Sequence, residues 1–128
     1  MKIVLTCGTF DLFHIGHLKV LERARALGDY LVVGVSSDSL NMKKKQRAPI
    51  MCQEHRMAIV SALKCVDEVF LEESLELKGQ YIQDHNATVF CIGDDWKGKF
   101  DKIADEVVYF ERTPAVSTTE LIEKISNI

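Results

Sequence analysis

Two histidines three positions apart, His14 and His17, flank Gly16 in the run Gly8-Thr9-Phe10-Asp11-Leu12-Phe13-His14-Ile15-Gly16-His17. An imidazole donates to phosphoryl oxygen when protonated and keeps one N–H donor when neutral, so a pair at this spacing can converge on one phosphate. Gly8 and Gly16 suit such a site because glycine lets backbone and ligand approach closely. Other readings stay open. Either histidine alone is compatible with a surface or helix-capping role. Zinc is less well matched, since a helical zinc pair reads H-E-x-x-H with a third ligand and Cys7, Cys52, Cys65 and Cys91 are scattered.

The elements around this run place it at a strand-to-helix turn. Residues 3–7 form a short β-branched apolar run, and Leu18, Leu21, Ala24 and Leu27 then recur at helical spacing. In open α/β sheets ligands collect beyond the carboxyl ends of the strands, where a helix N-terminus offers free N–H groups to phosphate. Further strands are predicted over 30–35, 66–71, 88–92 and 106–110. Helices are predicted from Gln53, more weakly over 75–85, and over 120–125, with Gly28 as a C-cap of the first helix. This alternation predicts an α/β fold, a single-domain Rossmann-like parallel sheet with helices on both faces, spanning residues 1–128.

Other candidate residues fall at the same kind of strand end. Ser36, Ser37 and Asp38 read as a turn, followed by a polar, basic and mobile loop over 41–49 that contains Lys43, Lys44 and Lys45. A charge run is commonly just a solvated surface, but a flexible lysine can also close over a triphosphate. Asp94 follows a strand, where a carboxylate can meet Mg²⁺, a sugar hydroxyl or a base. Ser117, Thr118 and Thr119 open the last helix, as ordinary caps or as phosphate donors.

The run Gly8 to His17 resembles the H-x-G-H signature of the cytidylyltransferases, and Arg112-Thr113-Pro114-Ala115-Val116-Ser117-Thr118-Thr119 resembles their second signature, R-T-x-G-I/V-S-T-T. With Ile92-Gly93-Asp94-Asp95-Trp96-Lys97-Gly98-Lys99-Phe100-Asp101 between them, the chain is similar over nearly its whole length to the bacterial glycerol-3-phosphate members. The resemblance implies transfer of a cytidylyl group from CTP to a small phosphorylated acceptor, with glycerol 3-phosphate the first choice, and release of pyrophosphate. It implies that His14, His17, Lys44 and Arg112 serve catalysis, with Lys43 and Lys45 as alternatives to Lys44. Gly8, Thr9, Phe10, Asp11, Gly16, Asp94, Thr113, Ser117, Thr118 and Thr119 join His14, His17 and Arg112 around the nucleotide.

On the acceptor side the resemblance puts Arg56, from Glu54-His55-Arg56, on the acceptor phosphate, with Asp38 and Lys64 beside it. Mg²⁺ is implied with CTP, held by substrate oxygens and water with no side-chain ligand assigned. A homodimer is implied as well. Three positions depart from the family pattern: Ala115 stands where glycine is usual, Lys64 where relatives carry arginine, and Leu75 where a tryptophan is found. Other phosphorylated alcohols, amines or amino-acid derivatives are therefore alternative acceptors. An adenylyltransferase of the same superfamily and a non-catalytic nucleotide-binding module are the rival readings.

Composition agrees with a one-domain enzyme. At 128 residues the chain can bury about two thirds of its unfolded surface. A net charge of −3 gives no reason to expect a nucleic-acid or membrane-surface role. No apolar stretch approaches the roughly 18 residues of a membrane span, no signal-peptide layout opens the chain, and the scattered cysteines suit a reducing compartment, so a cytoplasmic protein is expected.

Overall fold

Five parallel strands in the order β3-β2-β1-β4-β5 form the centre of the molecule, which a computed structural model describes for residues 1–111 and 117–128. They are β1 (Ile3–Gly8), β2 (Tyr30–Ser36), β3 (Glu68–Glu72), β4 (Val89–Gly93) and β5 (Glu106–Phe110). Helices α1 (Ile15–Arg25), α2 (Asp38–Lys45), α3 (Gln53–Ser61), α4 (Lys78–Asp84) and α5 (Thr118–Ser126) lie between and after them, with a short 3₁₀ turn at Asp94–Trp96. The parallel α/β arrangement expected from the alternation of strand and helix signals is therefore present.

Strand alternation divides the core in two, as a pleated sheet covered on both faces requires. Val4, Leu31, Val33, Val35, Val89 and Cys91 face Leu21, Ala24 and Val60 of α1 and α3. Their neighbours Leu5, Cys7, Val32, Phe90 and Ile92 face Ile82 of α4, with Trp96, Phe100 and Ile103 packed against them. Leu5 pairs with Val32 on one side and Phe90 on the other, so β1 is the middle strand. Chain order reverses between β1 and β4, and the crevice at their carboxyl ends is where an open parallel sheet binds ligands.

Several local expectations need correction. The basic segment expected as a mobile loop is helical as far as Lys45. Ser37, read as part of a turn, caps this helix through Oγ, which accepts from Leu40 N at 3.0 Å. Asp38 lies in the first turn and the three lysines in the last, which matches the helix dipole at both ends. Gln46 then ends it in the left-handed region at φ 59°. Gly28 is not the cap of α1, a role taken by Ala26. A Cβ at Gly28 would lie 2.6 Å from the Lys2 carbonyl oxygen, so close packing against β1 requires this glycine. The helix predicted over 75–85 is shorter, Lys78–Asp84, and β3 and β4 each begin and end somewhat later than predicted.

Candidate active site

The turn between β1 and α1 is built under backbone strain. Phe10 and Leu12 both have positive φ, 57° and 48°, a region that side-chain-bearing residues rarely adopt. Phe10 folds back beneath β1, where a Cβ on Gly8 would come within 2.8 Å of its ring. Gly8 therefore makes room for an aromatic ring as well as lining the cleft. The Phe10 ring meets His17 edge-on at 5.5 Å between centroids, and Phe13 lies 5.3 Å from the same imidazole. Asp11, expected around the nucleotide, lines the cleft but has its carboxylate engaged, accepting from Leu12 N, Ile50 N and Met51 N at 3.1, 2.7 and 2.9 Å.

The hydrogen bonds of the two histidines determine which nitrogen carries the proton. His14 caps α1, with Nδ1 accepting from Gly16 N at 3.0 Å, while its own backbone N–H donates to His17 Nδ1 at 3.2 Å. Both Nδ1 atoms are acceptors, so in the neutral form both rings hold their proton on Nε2. Thr118 Oγ1 donates to the Asp11 carbonyl at 3.2 Å and stands 3.4 Å from His14 Nε2, which can donate to it. The rings stack 3.8 Å apart. Burial pushes His14 below its usual pKa, and burial followed by the neighbouring His14 brings His17 down to about 4. At neutral pH the turn thus presents two uncharged imidazoles with N–H groups at Nε2.

Two adjoining cavities, of about 280 and 320 Å³, run across the β1/β4 crevice. His17, Val20, Lys45, Gly93, Thr118 and Thr119 line both. The first also takes in Thr9, Asn41 and Arg47, and the second His14, Asp94, Asp95 and Ser117. Ser117 Oγ is engaged as the cap of α5, accepting from Glu120 N at 3.1 Å. Arg112 and Thr113 lie outside the described residues, as does Ala115. Thr9 Oγ1 donates to Asn41 Oδ1 at 2.9 Å, and Asn41, which the sequence did not single out, is itself held by the Ser37 carbonyl.

The lysines separate. Lys45 lines both cavities and is close enough to His17 to help hold its pKa down. Lys44 turns instead to the end of β2, where Nζ lies 3.5 Å from Ser36 Oγ. Ser36 Oγ donates to Glu72 Oε1 at 3.1 Å, and Glu72 Oε2 pairs with Lys78 Nζ at 2.5 Å. Lys78 also lies 5.5 Å from the Phe100 ring centroid. Neither Glu72 nor Lys78 was anticipated from sequence, because each sits among other charged residues with nothing to mark it as buried.

Arg56 is placed differently from the expected grip on an acceptor phosphate. Its side chain is fully buried. Nε donates to the Met51 carbonyl at 2.8 Å, Nη1 to the carbonyls of Thr9 at 2.9 Å and Ser36 at 2.7 Å, and Nη2 to Asp38 Oδ1 at 2.7 Å. A guanidinium has five N–H donors, and these bonds use four. Asp38 is occupied in the same way, with its other oxygen accepting from Gln53 N at 3.3 Å. Lys64 is exposed in the turn before β3, at the amino end of the sheet and away from the cleft of its own chain. The geometry makes Arg56 and Asp38 braces between the motif turn, β2 and α3, and it gives Lys64 no place at the cleft.

The cytidylyltransferase-like family matches residues 5–124. The glycerol-3-phosphate cytidylyltransferase of Bacillus subtilis is 52% identical over the full length of both chains. That of Staphylococcus aureus is 38% identical over 98% of this chain and 96% of its own. Among solved structures, the lipopolysaccharide core biosynthesis protein of Thermoplasma volcanium superposes with a TM-score of 0.76 at 28% identity, covering 88% of this chain and 98% of its own.

Proposed function

The chain belongs to the cytidylyltransferase-like family, and from that premise we propose that it transfers the cytidylyl group of CTP to glycerol 3-phosphate, forming CDP-glycerol and pyrophosphate. Full-length identity to proteins named for that activity supports the substrate pair. The observation that carries the chemistry is the pair of imidazoles whose Nδ1 atoms are both occupied, which leaves Nε2–H as the donor on each ring.

An oxygen of the acceptor phosphate attacks the α-phosphorus of CTP. A new P–O bond forms, the bond from that phosphorus to the bridging oxygen of the β-phosphate breaks, and pyrophosphate takes the electron pair. The attacking group is already an anion, so no protein nucleophile is needed, and positioning with charge stabilisation can supply the rate. His14 and His17, neutral and fixed by the cap of α1, donate to phosphoryl oxygens as negative charge gathers there. Lys45 adds positive charge from the end of α2, and the sequence signature adds Arg112 and Thr113. Thr118, Thr119 and Asp94 complete the nucleotide's surroundings.

Mg²⁺ belongs to the proposal. It prefers oxygen ligands and commonly keeps substrate phosphates and water among them, and the exposed Asp94 carboxylate beside the histidines is a donor of that kind. When bound, the ion would offset the charge of the triphosphate. We also propose a homodimer, consistent with β3 forming an open edge of the sheet, and a cytoplasmic location. Among the described residues, no helix is long and apolar enough to cross a membrane.

The test is pyrophosphate release with CTP, ATP, GTP or UTP against glycerol 3-phosphate, phosphocholine and other phosphorylated acceptors. CTP with glycerol 3-phosphate should be the preferred pair, chelation of Mg²⁺ should abolish turnover, and added Mg²⁺ should restore it. Preference for ATP, or no turnover of glycerol 3-phosphate, would overturn the reading.

A further inference from the structure

Asn41 is 1% exposed, lies in α2 beside the first cavity, and belongs to neither sequence signature. A buried carboxamide costs stability unless its polar atoms are paired, and here the pairing has a direction. Nδ2 donates to the Ser37 carbonyl at 2.9 Å and to the Ser36 carbonyl at 3.4 Å, while Oδ1 accepts from Thr9 Oγ1 at 2.9 Å. The reverse orientation would set Oδ1 against two carbonyl oxygens, so only this one satisfies the group. A threonine hydroxyl has a single proton and two lone pairs. Asn41 takes the proton, and the Thr9 backbone is fixed as well, its carbonyl accepting from Arg56 Nη1 at 2.9 Å. What Thr9 offers the cavity is therefore an oxygen with lone pairs. The Nδ2 bonds suffice to brace α2 against the end of β2; the bond at Oδ1 is the one that reaches the cleft.

We propose that Thr9 accepts a hydrogen bond from a hydroxyl of the phosphorylated acceptor, and that Asn41 is the positioning residue that imposes this polarity by holding the Thr9 proton. An ionised phosphate carries acceptors only, so it meets the Thr9 oxygen lone pair to lone pair and is disfavoured there; an O–H on the same ligand is favoured. The two cavities indicate which ligand brings it. His14, Asp94 and Ser117 line the second cavity and not the first, on the side assigned to the nucleotide, whereas Thr9, Asn41 and Arg47 line the first and not the second, and His17 borders both. The inference rests on the cytidylyl-transfer reading and narrows its acceptor to a phosphate ester bearing a free hydroxyl, as glycerol 3-phosphate does. An ester without one would leave the Thr9 oxygen unpaired.

The experiment compares kcat/KM for glycerol 3-phosphate and for propyl phosphate, the same carbon chain without hydroxyls, in the wild type, Thr9→Ser, Thr9→Val and Asn41→Leu. The wild type and Thr9→Ser should prefer glycerol 3-phosphate. That preference should fall about tenfold in Thr9→Val and in Asn41→Leu, the scale of one neutral hydrogen bond, with the KM for CTP held within about twofold. A purely structural role would lower activity on both acceptors alike and leave their ratio unmoved. Neutron diffraction of the deuterated wild-type protein tests Asn41 without a variant: the Thr9 deuteron should point at Asn41 Oδ1. A ratio unchanged in folded Thr9→Val, a ratio lost in Thr9→Val but kept in folded Asn41→Leu, a KM for CTP that rises in step, or a deuteron aimed into the cavity overturns the proposal. Equal turnover of the two acceptors by the wild type overturns it while cytidylyl transfer stands; turnover of neither with CTP means that the function reading has failed and this inference with it.

Discussion

The histidine turn and the Arg56 corner adjoin through the Thr9 carbonyl beyond the end of β1, and both carry nitrogen donors near strand ends. They differ in where those donors go. At the turn, backbone N–H groups occupy both Nδ1 atoms and so leave an Nε2–H on each ring. At the corner, the fork is spent on three carbonyls and the Asp38 carboxylate. One region leaves the Nε2–H of His17 without a protein acceptor among the described bonds and sets that of His14 beside Thr118 Oγ1. The other uses them to join segments distant in sequence, because a buried guanidinium is stable only when its N–H groups are paired. Residue type alone would have ranked Arg56 as the better phosphate binder.

The comparison is broken most directly at His17. His17→Ala should lower kcat by about a hundredfold or more, the scale of losing one donor to a developing oxyanion, while the KM for CTP changes little. Steady-state kinetics checks this, and near-normal kcat would place His17 among the packing residues. Arg56→Lys should do the reverse. It removes the fork from the Thr9, Ser36 and Asp38 contacts and should destabilise the fold by about 3 kcal/mol, read by urea denaturation. The acceptor KM of the folded variant should stay close to that of the wild type. A stable variant with a large rise in that KM would return Arg56 to the acceptor.

A smaller effect concerns pH. His17 ordinarily titrates near 6.5 and is brought down to about 4 by burial. In this window the unfolded chain binds the proton that the folded chain refuses, so stability is complete above pH 6.5 and declines as pH falls towards 4. His17→Asn should flatten that decline, as measured by melting temperature between pH 4 and 7. A slope unchanged by the substitution would mean that His17 is not held neutral.

Much of the fold was legible in the sequence, for reasons visible in the strands. Val4 and Leu5, or Phe90 and Cys91, send neighbouring apolar side chains to opposite cores, and a parallel sheet covered on both faces yields continuous apolar runs. Helix α2 was hidden because its stability lies in Ser37 at one end and three lysines at the other, with little apolar periodicity between them. At the site, the histidine turn could be read because its residues are consecutive. The Arg56 corner could not, since its contacts reach to Thr9 and Ser36 and depend on the folded chain. Glu72 and Lys78 likewise become a pair only when α4 packs beneath β3. The Arg112 and Thr113 assignment lies outside the described residues.

The left-handed backbone at Leu12 is a place where the chain forgoes some heat tolerance. An L-residue held in that region costs about 1–2 kcal/mol, and selection for a hardier protein would favour asparagine or glycine there. Either residue adopts the same φ at less cost, so the bend leading into His14 and the cap of α1 would persist in a more stable protein. The motif therefore stores a small instability that a single change to asparagine or glycine would remove, which makes Leu12 a place to gain melting temperature without touching either imidazole.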